Sequence, residues 1–250
     1  MRMRVLHAMV WAAAMVAGSV YAQAAPKLIR LATLEWPPYT GTLLPQDGLS
    51  TRVATVVAKA AGFRLVTASF EWASTVEKGE KDPNFDGYFP EYYTKEREQN
   101  CHLSQAMGTS VLGLATLKSA PISWTALSDL SNARLGVVDG YSNGEEFDFL
   151  VKEKRQPVEV APSDAVNINK LKAGKIKGIV IDKNVLDYTL THVGGADRIA
   201  FSSRPIAELS LHVCFKRTPA GLALRNAFDA ALKSTDRSKV EADYSKLIRG

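Results

Sequence analysis

Cysteine is scarce, 2 residues in a chain of 250, which excludes a disulfide-dense mini-scaffold and a cysteine-rich zinc module. The G-x-S-x-G elbow, the P-loop, the dinucleotide fingerprint and the H-E-x-x-H zinc helix are all missing, so the enzyme classes that depend on them have no foothold here. Histidine is also sparse, at 4 residues. His102, His192 and His212 lack metal-ligand spacing with the cysteines, so no metal and no other cofactor is expected. Repeats of solenoid length, low-complexity tracts and long linkers do not occur. Charge of one sign is not concentrated either. The 31 lysines and arginines and 26 acids give a net +5, and the basic residues are scattered instead of forming a stripe, so no nucleic-acid partner is expected.

One apolar run stands out. The chain opens MRMR, continues VLHAMVWAAAMVAGSV and reaches VYAQA, the basic head, short apolar middle and small-residue exit of a secretory signal. Residues 1–22 are expected to be that signal, with cleavage after Ala22 as first choice and after Ala24 as second. The apolar core is short for a membrane span, and no cysteine follows to carry a lipid anchor. A periplasmic protein is expected. Removing Arg2 and Arg4 leaves 29 basic against 26 acidic side chains, a net +3. A mature chain of about 228 residues is long enough for two lobes, each with its own core.

Strand and helix signals alternate. KLIRLAT, FRLVTASF and FDGYF read as strands, and LSTRVATVVAKAAG between the first two places Val53, Val56, Val57 and Ala60 at helical spacing, with Ser50 as cap and Gly62 as stop. A second block repeats the pattern: VLGLATL, ARLGVVDG, VEVA and KGIVID are strands, and EEFDFLVKE and SDAVNINKLKAG are helices. LSLHVCF is a further strand, and GLALRNAFDAALKS a helix whose apolar face is Leu224, Ala227, Phe228, Ala231 and Leu232. Such alternation predicts an α/β fold with parallel sheet, in two lobes.

The order LATLEWPPYT, then FDGYF with TKER, then DLSNARLGVVDGYSNG, then LKAGKIKGIVID resembles the family 3 extracellular solute-binding proteins, the periplasmic receptors of polar amino-acid ABC transporters. The likeness spans about 27 to 245. It implies the type II periplasmic binding protein fold: two lobes, each a mostly parallel sheet flanked by helices, joined by two hinge strands and closing on a ligand. Lobe 1 would be 25–112 plus 208–250, and lobe 2 would be 113–207. A monomer, a small-molecule ligand and an ABC permease partner are implied. The separation of Cys101 and Cys214 in sequence does not by itself decide a bridge. The resemblance brings their segments together and so implies a disulfide.

The same resemblance assigns ligand contacts. Burying a zwitterion demands opposite charges and hydrogen bonds. Arg97 stands where the family places a carboxylate-binding arginine, on a short helix that Thr94 would cap; read alone, it is an ordinary exposed helix charge. Ser142, at a glycine turn before a helix, matches the hydroxyl that helps hold the carboxylate, or is simply a cap. Asp182 ends KGIVID where the family presents an acid to the ligand's ammonium, or caps the helix that follows. Trp36 falls at the aromatic wall, with Tyr39 and Trp72 as further aromatic candidates; large rings are also core residues.

The chain departs from the family just upstream of the arginine, where small hydroxyl or glycine residues give way to Pro90, Glu91, Tyr92 and Tyr93. Glu91 or Glu35, if facing the cleft, would favour a cationic or neutral ligand. Two other functions stay open: a periplasmic dehydratase on the same fold, for which no catalytic pair is apparent, and a sensory or partner-binding module without a ligand.

Overall fold

The computed structural model of the chain describes residues 27–249. The expected signal, 1–22, lies outside the described residues. β1 (Lys27–Thr33) buries Ile29 and Leu31 and pairs in parallel with β2 (Phe63–Ser69) and β3 (Gly87–Tyr92). Between β1 and β2 runs α1 (Leu49–Ala60), which buries Val53, Ala54, Val57 and Ala58. Ser50 does not cap this helix. The cap is Gly48, and the first helical N–H groups are taken by Pro38 O and Tyr39 O, at 3.1 and 2.8 Å, so no side-chain cap is needed.

After α2 (Trp72–Lys81) and β3 come α3 (Lys95–Asn100), β4 (Cys101–Leu103) and β5 (Gly108–Leu117). Thr94 does cap α3, its hydroxyl accepting from Arg97 N at 3.0 Å. The second lobe holds β6 (Leu135–Val138), α4 (Glu145–Lys152), β7 (Val158–Ala161), α5 (Asp164–Lys172), β8 (Gly178–Asp182) and α6 (Lys183–Val193). The chain returns along β9 (Ile199–Lys216) and ends in α7 (Pro219–Ser234) and α8 (Arg237–Arg249).

Sheet order is β2-β1-β3-β9-β5-β8-β6-β7, with β4 also on β9. Parallel pairing joins β1 to β2 and β3, and β6 to β7 and β8. Among the described residues every antiparallel pairing between strands involves β5 or β9, the two strands that cross between the lobes. The chain thus has the two-lobed α/β architecture with two hinge strands. The β5–β9 ladder shifts register at the hinge, between Leu112 and Gly113 and between Gly113 and Ala115.

Each lobe has its own core. In the first, Ile29, Leu31, Val53, Phe89, Phe215 and Phe228 pack together; in the second, Leu114, Leu130, Leu135, Val137, Phe147 and Val180. Burying one such side chain stabilises by about 1.5–3 kcal/mol. A third cluster crosses between them, putting Trp36, Tyr39 and Tyr92 against Ile181, Val185 and Leu186. Cys101 and Cys214 form a disulfide with Cα atoms 5.6 Å apart, tying β4 to β9 across 113 positions of sequence. A loop of about 100 residues closed in this way is worth on the order of 4–5 kcal/mol in the chain-entropy account.

Candidate functional site

The crevice between the lobes is built from aromatic rings. Trp36 leaves β1 in a tight turn closed by its backbone pairing with Thr40. That turn lays Tyr39 against Trp36 with ring centroids 4.5 Å apart, stacked. Both rings are buried. Tyr141, in the turn after β6, meets Trp36 edge-on at 6.4 Å and Trp72 edge-on at 5.8 Å. The Trp72 indole, at the first position of α2, donates to Gly140 O at 2.9 Å. Gly140 has φ +70, a left-handed conformation that glycine adopts without penalty, and a Cβ there would sit 3.1 Å from Trp72 Cδ1. Sequence, turn and interlobe contact are therefore linked at this one residue.

Asp182 ends β8 and is buried. Its Oδ1 accepts the backbone N–H groups of Asn184 and Val185 at 2.7 and 2.9 Å, which caps α6. Its Oδ2 accepts the Ser110 hydroxyl at 2.6 Å and the Tyr39 hydroxyl at 3.0 Å. The Tyr92 hydroxyl lies 2.7 Å from Ser110 Oγ, and because Ser110 gives its proton to Asp182, Tyr92 donates to Ser110. Asn184 Nδ2 donates in turn to the Tyr39 oxygen at 2.9 Å. Both carboxylate oxygens are thus engaged by the chain's own donors. Burial pushes the carboxyl above its ordinary range, and the donors oppose this.

Arg97 projects from α3 onto two acids. Its Nε lies 2.9 Å from Glu91 Oε2, and its Nη1 lies 3.8 Å from Glu80. Glu91, on β3, is buried and also accepts from Tyr92 N at 2.8 Å. Burial pushes the Glu91 carboxyl from 4.5 up to about 7, against the pull of Arg97. Glu91 thus holds the Nε edge of this guanidinium. Ser142 turns its hydroxyl to Asp148 Oδ2 at 2.8 Å, in the turn that leads into α4.

Two cavities adjoin these residues. A narrow one of about 20 Å³ touches Trp36, Trp72, Glu91, Tyr92 and Ser142. Pro90, Glu91 and Tyr92 wall it on the β3 side. On the other side of Trp36 lies a cavity of about 670 Å³, bounded by Glu35, Trp36 and Trp72 from the first lobe and by Tyr141, Asp164 and Tyr188 from the second. Arg97 and Asp182 line neither cavity. Among the described residues, no group of three or more His, Cys, Asp and Glu is placed to hold a metal ion, and no helix is long and apolar enough to cross a membrane.

Asp164, Tyr141, Ser110 and Tyr188 are members of the site that sequence reasoning did not single out. Asp164 begins α5 after its cap Ser163, and in sequence SDAVN signals only a helix start. Asp164 is half-buried on the cavity wall, and desolvation pushes its carboxyl from 3.8 up to about 7; the charge of Asp182 acts the same way and the Trp36 indole opposes it.

No family model matches the sequence, and no curated protein sequence matches it. Solved structures do match its fold. A histidine kinase sensor domain with similarity to periplasmic binding proteins superposes with a TM-score of 0.75 at 15% identity, covering 88% of this chain and 96% of that one. The GluR0 ligand-binding core from Nostoc punctiforme, in complex with L-glutamate, gives 0.70 at 19% identity, covering 86% and 96%. An ancestral arginine-binding protein bound to arginine gives 0.69 at 16% identity, covering 89% and 98%. The chain has the fold of the two-lobed type II periplasmic binding proteins.

Proposed function

We propose that this chain is an exported solute-binding receptor of the family 3 kind, which takes a small amine-bearing solute, an amino acid or a related compound, between its lobes and delivers it to an ABC permease. The observation that carries the reading is the crevice of about 670 Å³, lined from both lobes by indole and phenol rings and by carboxylates. Its size and mixed lining suit a small ligand. Binding of glutamate and of arginine by proteins of the same fold supports it. Lobe limits of 25–112 with 208–250, and of 113–207, are supported by the hinge register. Leu112 pairs with Ala207, and the β5–β9 ladder is irregular just beyond, between Leu112 and Gly113.

In this reading Trp36 and Trp72 are the aromatic walls, and Tyr39 with Asp182 locks the closed form. A ligand carboxylate at Arg97 competes with Glu91 for the guanidinium. The protein acts as a monomer in the periplasm. Thermal unfolding of the mature chain against amino acids, polyamines and aromatic acids tests the proposal, because a ligand that binds the folded state raises its midpoint by mass action. At least one amine-bearing compound raises it; a panel that leaves the midpoint unmoved throughout removes the receptor reading.

A second reading rests on the contacts that tie the lobes together, Trp72 to Gly140 and Tyr39 to Asp182. A sensory module that docks its closed lobes on a partner needs such ties, and the sensor-domain neighbour has the same fold. Unresponsiveness to the whole panel would favour it.

A further inference from the structure

The wider crevice has an unusual charge pattern for this chain. The protein as a whole carries more basic than acidic side chains, yet the cavity lining contains Glu35, Glu71 and Asp164 and not one lysine or arginine. Among the described residues none of these three acids forms an ion pair. Glu35 is turned to the Thr42 N–H, 3.1 Å from each of its oxygens. Asp164 lies at the inner wall beside Trp36, near Asp182. The other walls include the rings of Trp36, Trp72, Tyr141 and Tyr188, and His192, which also lines the cavity, stacks on Tyr188 with ring centroids 4.4 Å apart. Aromatic faces attract cations and cover methylene chains. The guanidinium that a ligand carboxylate would need is held by Glu91 and does not reach this cavity.

We propose that the crevice takes a small organic cation without a carboxylate, an aliphatic amine or guanidine, with its charge against Asp164 and its carbon chain along the rings of Trp36, Trp72 and Tyr188. This rests on the solute-binding reading and narrows it. A ligand carboxylate gains nothing here, because it would enter a space bounded by three acids. The cation replaces water around Asp164 with an opposite charge, which favours binding more in a partly desolvated crevice than at an open surface.

Calorimetric titration of the mature chain with two matched pairs, agmatine against arginine and 1,4-diaminobutane against ornithine, tests the assignment. The decarboxylated member of each pair binds at least as tightly as the amino acid. Asp164→Asn weakens the amines by about tenfold or more, while its unfolding midpoint at neutral pH stays at or above that of the parent, since the variant buries no charge. Asp164→Glu keeps part of the affinity. Unchanged amine affinity in Asp164→Asn overturns the proposal. Tight binding of arginine and ornithine with none of the amines overturns it too, and leaves the receptor reading standing; failure of all four compounds to bind overturns the cation assignment alone, the receptor reading falling only with the wider panel.

Discussion

At position 91 a glutamate sits six residues ahead of Arg97, and its Oε2 lies 2.9 Å from the arginine's Nε. The groups facing it are Arg97, Glu80 and Tyr88, with His212 opposite on β9. Desolvation outweighs the arginine and lifts its carboxyl from 4.5 to about 7. The folded chain therefore holds this proton more tightly than the unfolded chain does. The stability contributed by the group is fully present below pH 4.5 and drains away as pH rises through about 7. Glutamine mimics the protonated form at every pH, so the unfolding midpoint of Glu91→Gln, measured relative to the parent, climbs by several degrees between pH 5 and pH 8. A flat or falling difference would show that Arg97 fully compensates the buried charge. In sequence the PEYY stretch marked Glu91 as an acid that, if it faced the cleft, would repel an anionic side chain. Its grip on Arg97 was not legible there, because six positions of separation do not say which way two side chains turn.

Among the elements, the turn between β6 and α4 carries the most information per residue. Gly140 accepts the Trp72 indole proton, Tyr141 packs against both tryptophans, and Ser142 and Asn143 fasten the turn to Asp148. Gly140→Ala forces a side chain into a left-handed backbone and against Trp72. A loss of about 1–2 kcal/mol in urea unfolding is expected, together with a red shift of tryptophan emission as the Trp72 indole meets water. Unaltered stability and emission would mean that this turn does not hold the lobes. VVDGYSNG announced a strand, a glycine turn and a helix start, and all three are present. Nothing in it announced Trp72, 68 positions away, as the partner. The helix starts fared unevenly for a similar reason. Thr94, Ser163 and Thr218 cap through their own side chains, as local sequence can signal, whereas α1 is capped by carbonyls of a preceding turn, which a pattern of residue types does not reveal.

Over the whole molecule, alternating strand and helix signals sufficed for the α/β class, since each apolar segment is short and its period local. The crevice is a product of topology. Ser110 and Asp182 are 72 positions apart, and Tyr39 and Asp182 are 143 apart, yet they share hydrogen bonds because the hinge strands bring β1, β5 and β8 together. Asp164 looked like a helix start and became the crevice's inner acid by the same route. A small cation between the lobes is tested most directly by a crystal structure of the mature chain grown with agmatine. Density for the guanidine within hydrogen-bonding distance of the Asp164 carboxylate, with the chain against Trp36, is the predicted result. A crevice without agmatine density at a concentration that saturates the protein in solution, or agmatine bound elsewhere on the surface, would contradict it.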